Sequence, residues 1–285
     1  MGEKTVESFA ELAGCHGLRV VSADPAAPAY SRGRRRPNMP ATRTIAVLGD
    51  LHANLSALQA VLAVLELEQV SELYCVGDVV GYGPRPNEVV ERIREAGVRC
   101  VAGNHDWALL GRIDARTFNP YAQAALEWTG KELTAENRDF LAELPLRIDD
   151  PEFCVFHGSL PEPEAFNYLQ SFPAARASLA EFAAPVGFCG HTHVPMNFIQ
   201  HPRATELEWH FQTDWCLEDQ DRAVVNVGSV GQPRDENPQA PVCLYELPAR
   251  RFRLLRTPYN IAEEQKRIRR AGLPQILGDR LVHGI

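Results

Sequence analysis

The sequence predicts an α/β protein, and three observations carry that expectation. From Thr42 onward, short apolar runs alternate with stretches whose apolar residues recur every three or four positions, the marks of strand and helix. At 285 residues, 45% apolar and 23% charged, the chain can bury a sizeable core and has an ordinary globular composition. Several apolar runs also end at Asp, Asn or His, and in open α/β sheets the functional side chains gather where the strands' carboxyl ends emerge.

Taken in order, residues 1–41 stand apart. They combine a short helical stretch (Glu7 to Leu12), an Ala/Pro-rich segment (Ala23 to Ala29) and the basic run Arg32 to Pro37. With little to pack, this segment is expected to be a disordered arm, and its basic run a solvated tail rather than a nucleic-acid or targeting patch. Met39, directly before the first strand, is an alternative start of translation. Residues 42–285 form the second expected unit.

The run Ile45 to Leu48 leads into Gly49-Asp50-Leu51-His52-Ala53-Asn54. A helix follows, with Leu55, Leu58, Leu62 and Leu65 on one face and Asn54 as its N-cap. A strand from Leu73 to Val76 ends in Gly77-Asp78. After the turn Gly81 to Pro86 comes a helix expected to be capped by Asn87 and stopped by Gly97. The strand Val98 to Ala102 ends in Gly103-Asn104-His105-Asp106. Helices are expected over Pro120 to Lys131, Thr134 to Leu144 and Pro173 to Ala183. The runs Phe153 to Phe156 and Val186 to Cys189 end at His157 and at Gly190-His191-Thr192-His193. A hairpin is expected over 196–213, a strand from Ala223 to Val227, and an antiparallel pair Val242 to Leu247 and Phe252 to Thr257. Asn260 opens a last helical pair broken at Gly272-Leu273-Pro274.

The formal net charge of −8 argues against a generic nucleic-acid or anionic-membrane binder. A phosphate-bearing substrate stays open, because a bound metal adds positive charge that the count omits. The seven cysteines are scattered and form no Cys-x-x-Cys pair, so neither a disulfide framework nor a zinc knuckle is expected. Cys75, Cys100, Cys154 and Cys189 read as small hydrophobes in a reducing compartment. No stretch approaches the ~20 apolar residues of a membrane span, and the chain is expected in the cytoplasm.

Five runs thus end in metal-type ligands: Asp50 with His52, Asp78, Asn104, His157, and His191 with His193. The two-residue period of extended chain would point Asp50 and His52 the same way. Carboxylate, imidazole and amide without thiolate suit manganese first, with iron, zinc or nickel as alternatives. Seven ligands exceed one tetrahedral ion and suit two ions about 3.5–4 Å apart sharing a carboxylate. His105 is an additional imidazole, and Asp106 is expected to hold it in one tautomer.

Gly49-Asp50-Leu51-His52, Gly77-Asp78, Gly103-Asn104-His105-Asp106, His157 and Gly190-His191-Thr192-His193 resemble the five-block signature of the calcineurin-like metallophosphoesterase superfamily. The first block and the run Asn226 to Arg234 resemble its small bacterial and archaeal phosphodiesterase branch. The resemblance implies a four-layer α/β/β/α sandwich of two facing mixed sheets. It implies Asp50, His52, Asp78 and His193 on one metal and Asp78, Asn104, His157 and His191 on a second, with Asp78 as bridge. It further implies that a hydroxide between the metals attacks phosphorus in line, with His105 at the phosphoryl group and Asp106 orienting it. Protein phosphatases and symmetrical dinucleoside tetraphosphatases of the superfamily carry Asp-Arg-Gly after the second block. Here Gly81-Tyr82-Gly83 stands there, and Arg234 is the candidate substitute contact. Tyr82, Trp107 and Tyr168 are expected to pack the core, with stacking on a base or leaving group as their second reading.

The expected function is a metal-dependent phosphodiesterase of small phosphodiesters or nucleotides. The alternatives are a phosphomonoesterase or phosphoprotein phosphatase, and a dinucleoside polyphosphate hydrolase. A non-catalytic scaffold is disfavoured because every ligand position is filled. The expected partner is a small phosphorylated substrate, with no membrane or nucleic acid, and the oligomeric state is open.

Overall fold

The computed structural model describes residues 42–285. The expected arm and the alternative start at Met39 lie outside the described residues. Strand β1 (Arg43–Leu48) leads through the first ligand turn to helix α1 (Leu55–Leu67), where the Asn54 side chain accepts the Ala57 N–H at 3.1 Å, as an N-cap does. Strand β2 (Glu72–Cys75) is followed by α2 (Pro86–Glu95), then β3 (Arg99–Cys100) and α3 (Asn104–Leu109). Asn87 does not cap α2. It lies inside the helix, and its side chain joins Glu132, Thr134 and Asn137 of the next helical pair. That pair is α4 (Pro120–Glu132) and α5 (Ala135–Ala142).

The second half runs β4 (Arg147–Asp149), β5 (Phe153–Phe156), α6 (Phe172–Ala180) and β6 (Val186–Cys189). The hairpin β7 (Met196–Gln200) and β8 (Glu208–His210), then β9 (Asp214–Cys216) and β10 (Arg222–Asn226), come next. The chain closes with β11 (Ala240–Leu247), β12 (Arg251–Thr257), α7 (Ile261–Arg270) and α8 (Ile276–Asp279). The expected strand at Val98 to Ala102 shrinks to two residues, because the chain leaves the sheet at once to start α3.

Two six-stranded mixed sheets result, in the orders β3-β2-β1-β11-β12-β9 and β4-β5-β6-β10-β7-β8. Residues alternate between their faces. Along β1, Ala46 and Leu48 pack with Leu58, Val61, Val89 and Ile93 of α1 and α2, while Ile45 and Val47 face the second sheet. Along β5, Phe153 and Val155 meet that inter-sheet layer, and Cys154 and Phe156 pack outward with Ala175 and Leu179 of α6. The layers are therefore helix, sheet, sheet, helix. Each fully buried aliphatic side chain here contributes about 1.5–3 kcal/mol. Cys75, Cys100, Cys154 and Cys189 are buried free thiols, as expected of small hydrophobes. Among the described residues no helix is long and apolar enough to cross a membrane.

What positions a site is the strand direction. β1, β2 and β3 are mutually parallel, as are β5, β6 and β10. The carboxyl ends of each parallel set emerge on one edge, and the turns that follow them meet.

Candidate functional site

Asp50, His52, Asp78, Asn104, His157, His191 and His193 meet at that edge. Ligand atoms of Asp50, His52, Asp78 and His193 lie within 4.8 Å of one another, and so do those of Asp78, His157 and His191. Asn104 joins the second group, its Oδ1 lying 2.9 Å from His157 Nε2. Asp78 belongs to both groups. Its Oδ1 accepts the His105 N–H at 2.8 Å, while Oδ2 lies 3.6 Å from His52 Nε2 and 3.5 Å from His157 Nε2.

The turns reach this arrangement by a different backbone from the extended one expected. His52, Asp78, His191 and His193 all adopt positive φ (45°, 48°, 67° and 63°), a region non-glycine residues rarely enter. Asp50 and His52 therefore converge through a left-handed turn rather than a two-residue period. The backbone is held there by other strand ends: Leu51 N–H and His52 N–H donate to the Asp78 carbonyl at 3.0 and 2.9 Å, and His191 N–H to the Asp50 carboxylate at 3.1 Å. Four such residues in one site are strain that the surrounding hydrogen bonds sustain, a feature typical of functional sites. Close approach matters too. A Cβ on Gly103 would lie 2.1 Å from Asp78 Oδ1, which accounts for the glycine before Asn104.

The donor chemistry tests whether cations fit. His52 Nδ1 lies 3.2 Å from the Val80 carbonyl, His157 Nδ1 2.8 Å from that of Val76, and His193 Nδ1 2.7 Å from that of Gln232. A ring nitrogen facing a carbonyl carries the proton, so in each neutral ring Nε2 is left as a bare acceptor. Yet His52 Nε2 sits 3.0 Å from His193 Nε2, and His157 Nε2 lies 2.9 Å from the Asn104 Oδ1 acceptor and 3.5 Å from Asp78 Oδ2. Lone pairs aimed at each other beside two buried carboxylates are stable only with positive charge among them. The set fits divalent cations.

Electrostatics agree. Burial pushes the Asp50 carboxyl up to about 7 and holds the His52 and His193 imidazoles well below their usual range. Burial also opposes charge on Asp78, but His157, His105 and His52 outweigh it and hold that carboxyl far below the usual carboxylate range. For His157, burial is outweighed by Asp78 and Asp50, which raise it to about 9, so a proton there supplies part of the charge that the cluster requires.

His105 lies beside the cluster at the start of α3, 3% exposed, with Nδ1 lacking a hydrogen-bond partner among the described residues. Burial lowers it to about 4. Asp106 does not orient it, contrary to expectation. The Asp106 carboxylate accepts the backbone N–H groups of Gly103, Val79 and Val80 at 2.9, 3.3 and 3.2 Å, and so ties the Asp78 turn to α3. The His105 ring is instead set by rings: Phe118 edge-on at 5.0 Å, Tyr82 at 4.6 Å and His52 at 4.8 Å. A Cβ on Gly81 would come within 2.8 Å of both His52 and His105, so the turn after Asp78 leaves no room for a larger residue there.

Arg234 enters from the loop after β10. Its Nη2 bonds Gln232 Oε1 at 2.9 Å and the Tyr82 hydroxyl at 3.4 Å, and its Nε is buried without a partner among the described residues. Above these groups opens a cavity of about 450 Å³ whose walls include Asp114, Phe118, Glu164, Phe166 and Tyr168, with Asp78, Asn104, His105, His191, His193 and Arg234 below. Tyr82 is buried, as expected of a packing residue. Tyr168 is not: it is half exposed and lies flat on His191, ring centroids 4.1 Å apart. The wall residues other than Tyr168 went unrecognised in the sequence, since they sit in loops without period or turn signature.

Comparison with known proteins gives a consistent result. Residues 44–249 match the calcineurin-like phosphoesterase superfamily domain. Over 244 residues, 84% of this chain and 98% of the relative, the chain is 35% identical to an uncharacterized protein of Methanocaldococcus jannaschii. A solved metallophosphoesterase from Sphaerobacter thermophilus is similar with 38% identity and a TM-score of 0.74, covering 86% of this chain and 100% of that one. A 67-residue stretch, 22% of this chain and 23% of the relative, is 40% identical to a symmetrical bis(5'-nucleosyl)-tetraphosphatase of Yersinia pestis.

Proposed function

Because the chain belongs to the calcineurin-like phosphoesterase superfamily, we propose that residues 42–285 form a binuclear metal-dependent phosphodiesterase acting on small phosphodiesters or nucleotides. The observation that carries this reading is the convergence of seven ligand side chains into two groups that share Asp78, on the floor of an open cleft. Asp50, His52, Asp78 and His193 would hold one ion, and Asp78, Asn104, His157 and His191 the other. Manganese suits this oxygen and nitrogen set first, with iron, zinc or nickel as alternatives. Two bound ions supply a water of lowered pKa and neutralise charge on the phosphoryl oxygens.

The chain's own groups do the rest. The Asp78 carboxylate keeps both shells in register, and the carbonyls behind His52, His157 and His193 keep their Nε2 lone pairs pointed inward. His105, neutral at pH 7, can donate a single N–H to a phosphoryl or leaving oxygen. The negative charge of a bound phosphoryl group would raise its pKa and let it pass that proton to the departing alkoxide. Arg234 would be a donor for a non-bridging oxygen, since its Nε has no partner among the described residues. Among the described residues it is also the only Lys or Arg lining the cleft. One guanidinium suits the single negative charge of a diester better than the dianion of a monoester, which supports the diesterase reading.

A dinucleoside polyphosphate substrate is the second reading, favoured by the 67-residue similarity. The test is direct. Purified protein with Mn²⁺ is expected to hydrolyse bis-p-nitrophenyl phosphate, with a chelator abolishing the activity. No turnover with any divalent metal would sink the enzyme reading.

A further inference from the structure

The walls of the cleft differ from its floor in one respect that bears on substrate choice. Phe166 is buried, edge-on to Trp107 at 5.3 Å and to His157 at 5.7 Å, and Phe118 is edge-on to His105. Those rings are committed to packing. Tyr168 is 52% exposed, yet its plane lies within 16° of the His191 ring beneath it. A ring whose rotamer is already fixed by stacking on one side, and whose side chain is half open to the cleft, can stack a second flat group at little further ordering cost.

Charge along the walls points the same way. Among the described residues Arg234 is the one guanidinium that lines the cleft. Glu164 is exposed at the mouth and has no ion-pair partner among the described residues, and Asp114 stands on the opposite wall, paired with Arg116 at 2.7 Å. A chain of phosphates leading outward from the floor would pass the unpaired Glu164, and among the described residues the cleft lining offers it no Lys or Arg beyond Arg234. At about 450 Å³, the cavity sits toward the low end of the roughly 300–1,000 Å³ that ligand pockets span.

Resting on the phosphoesterase reading above, the geometry points to a substrate with a single phosphoryl group bearing a planar aromatic group, stacked on Tyr168, and to exclusion of polyphosphates by Glu164. Tyr168 and Glu164 are then the specificity-determining residues of the cleft. Nucleosides and simple aryl groups share the flat ring, and the experiment separates them.

Binding is measured by calorimetry on the full chain loaded with Mn²⁺, using phosphonate monomethyl esters, which carry the single charge of a diester and only a poor methoxide leaving group: those of phenylphosphonate, adenosine 5′-phosphonate and propylphosphonate, beside a methylene-bridged diadenosine tetraphosphate. At least one aromatic phosphonate ester is expected to bind about tenfold tighter than the propylphosphonate ester, within the range that one stacked base contributes. The tighter of the two aromatic probes identifies the source. Tyr168→Ala should erase the difference with metal content intact, and Tyr168→Trp should keep it. Glu164→Lys should tighten the tetraphosphate analogue about tenfold and leave the phenylphosphonate ester nearly unchanged. Equal affinity for aromatic and alkyl probes, no binding of any phosphonate, or an equal loss for all probes in Tyr168→Ala would overturn the stacking role; the last outcome would mean that the ring merely supports His191. A tetraphosphate analogue that outcompetes the adenosine 5′-phosphonate ester in the unaltered protein would overturn the exclusion. Since binding is read without turnover, failure to hydrolyse bis-p-nitrophenyl phosphate counts against the enzyme reading alone.

Discussion

Every ligand on the floor of the cleft stands within four residues of the end of a strand, whereas the walls, Ile113 to Asn119 and Glu164 to Tyr168, contain only three-residue helical turns. Floor residues are cross-braced: the Asp78 carbonyl receives two amides of the first turn, and the Asp50 carboxylate receives the His191 amide. Wall residues are held by ring contacts and local caps, such as Asp114 accepting from Arg116. Interlocked strand ends tolerate little change, so chemistry is stored there. Loops can be exchanged without disturbing the sheets, which makes them the place where substrate choice is set.

If that contrast is right, the largest effect belongs to the residue that both ligand groups share. Asp78→Asn should lower activity by on the order of a thousandfold, about 4 kcal/mol of barrier, together with loss of bound metal. Near-normal metal content and rate would remove Asp78 from the bridging position. Next comes the brace. Asp106→Ala would strand three buried amides, at about 1–3 kcal/mol for each group left unpaired, so thermal unfolding should show a loss of about 3 kcal/mol or more. Asp106→Asn, which keeps a carbonyl acceptor, should recover part of it. Unchanged stability in Asp106→Ala would show that the floor does not depend on this tie.

His105→Ala should then cost about a hundredfold in kcat, the lower end for a lost proton donor, with metal content and unfolding temperature close to normal. An unchanged kcat would take the imidazole out of the reaction. The smallest effect lies far from the cleft. His201 bridges Glu208 at 3.1 Å and Asp221 at 2.9 Å, and these partners raise its pKa above the ordinary 6.5. A raised histidine stabilises the fold fully below the unfolded value and loses that contribution as pH rises through the folded value. The effect of this partly exposed group should stay under about 1 kcal/mol. His201→Asn should flatten that component of stability above pH 6.5, and an identical pH profile would show that the bridge contributes nothing.

The floor was legible in the sequence because its logic is local: an apolar run, a turn, then a ligand, repeated five times. The layers were legible because β1 and β5 alternate cleanly and α1 carries leucines at helical spacing. What could not be read was tertiary. Asn87 has the identity of an N-cap, but its amide is used between helices α2, α4 and α5. Asp106 sits next to His105 in sequence, yet the helix start at Asn104 turns its carboxylate back onto the amides of Gly103, Val79 and Val80. Tyr168 lies in a loop without period, and only the folded chain shows it resting on an imidazole 23 positions away. The short edge strands β4 and β9, three residues each, were too brief to show a period.

The central position of β11 has a consequence for synthesis. All seven ligand residues have been synthesised once His193 has been added, but β1, which carries Asp50 at its end, is flanked in its sheet by β2 and by β11, and β11 begins only at Ala240. Until then β1 has one open hydrogen-bonding edge and the inter-sheet core lacks Cys243 and Tyr245. A growing chain therefore holds every ligand before it has the scaffold that seats them. A product stopped between His193 and Ala240 would bring metal-binding side chains together on an incomplete sheet, exposing an unpaired strand to neighbouring chains.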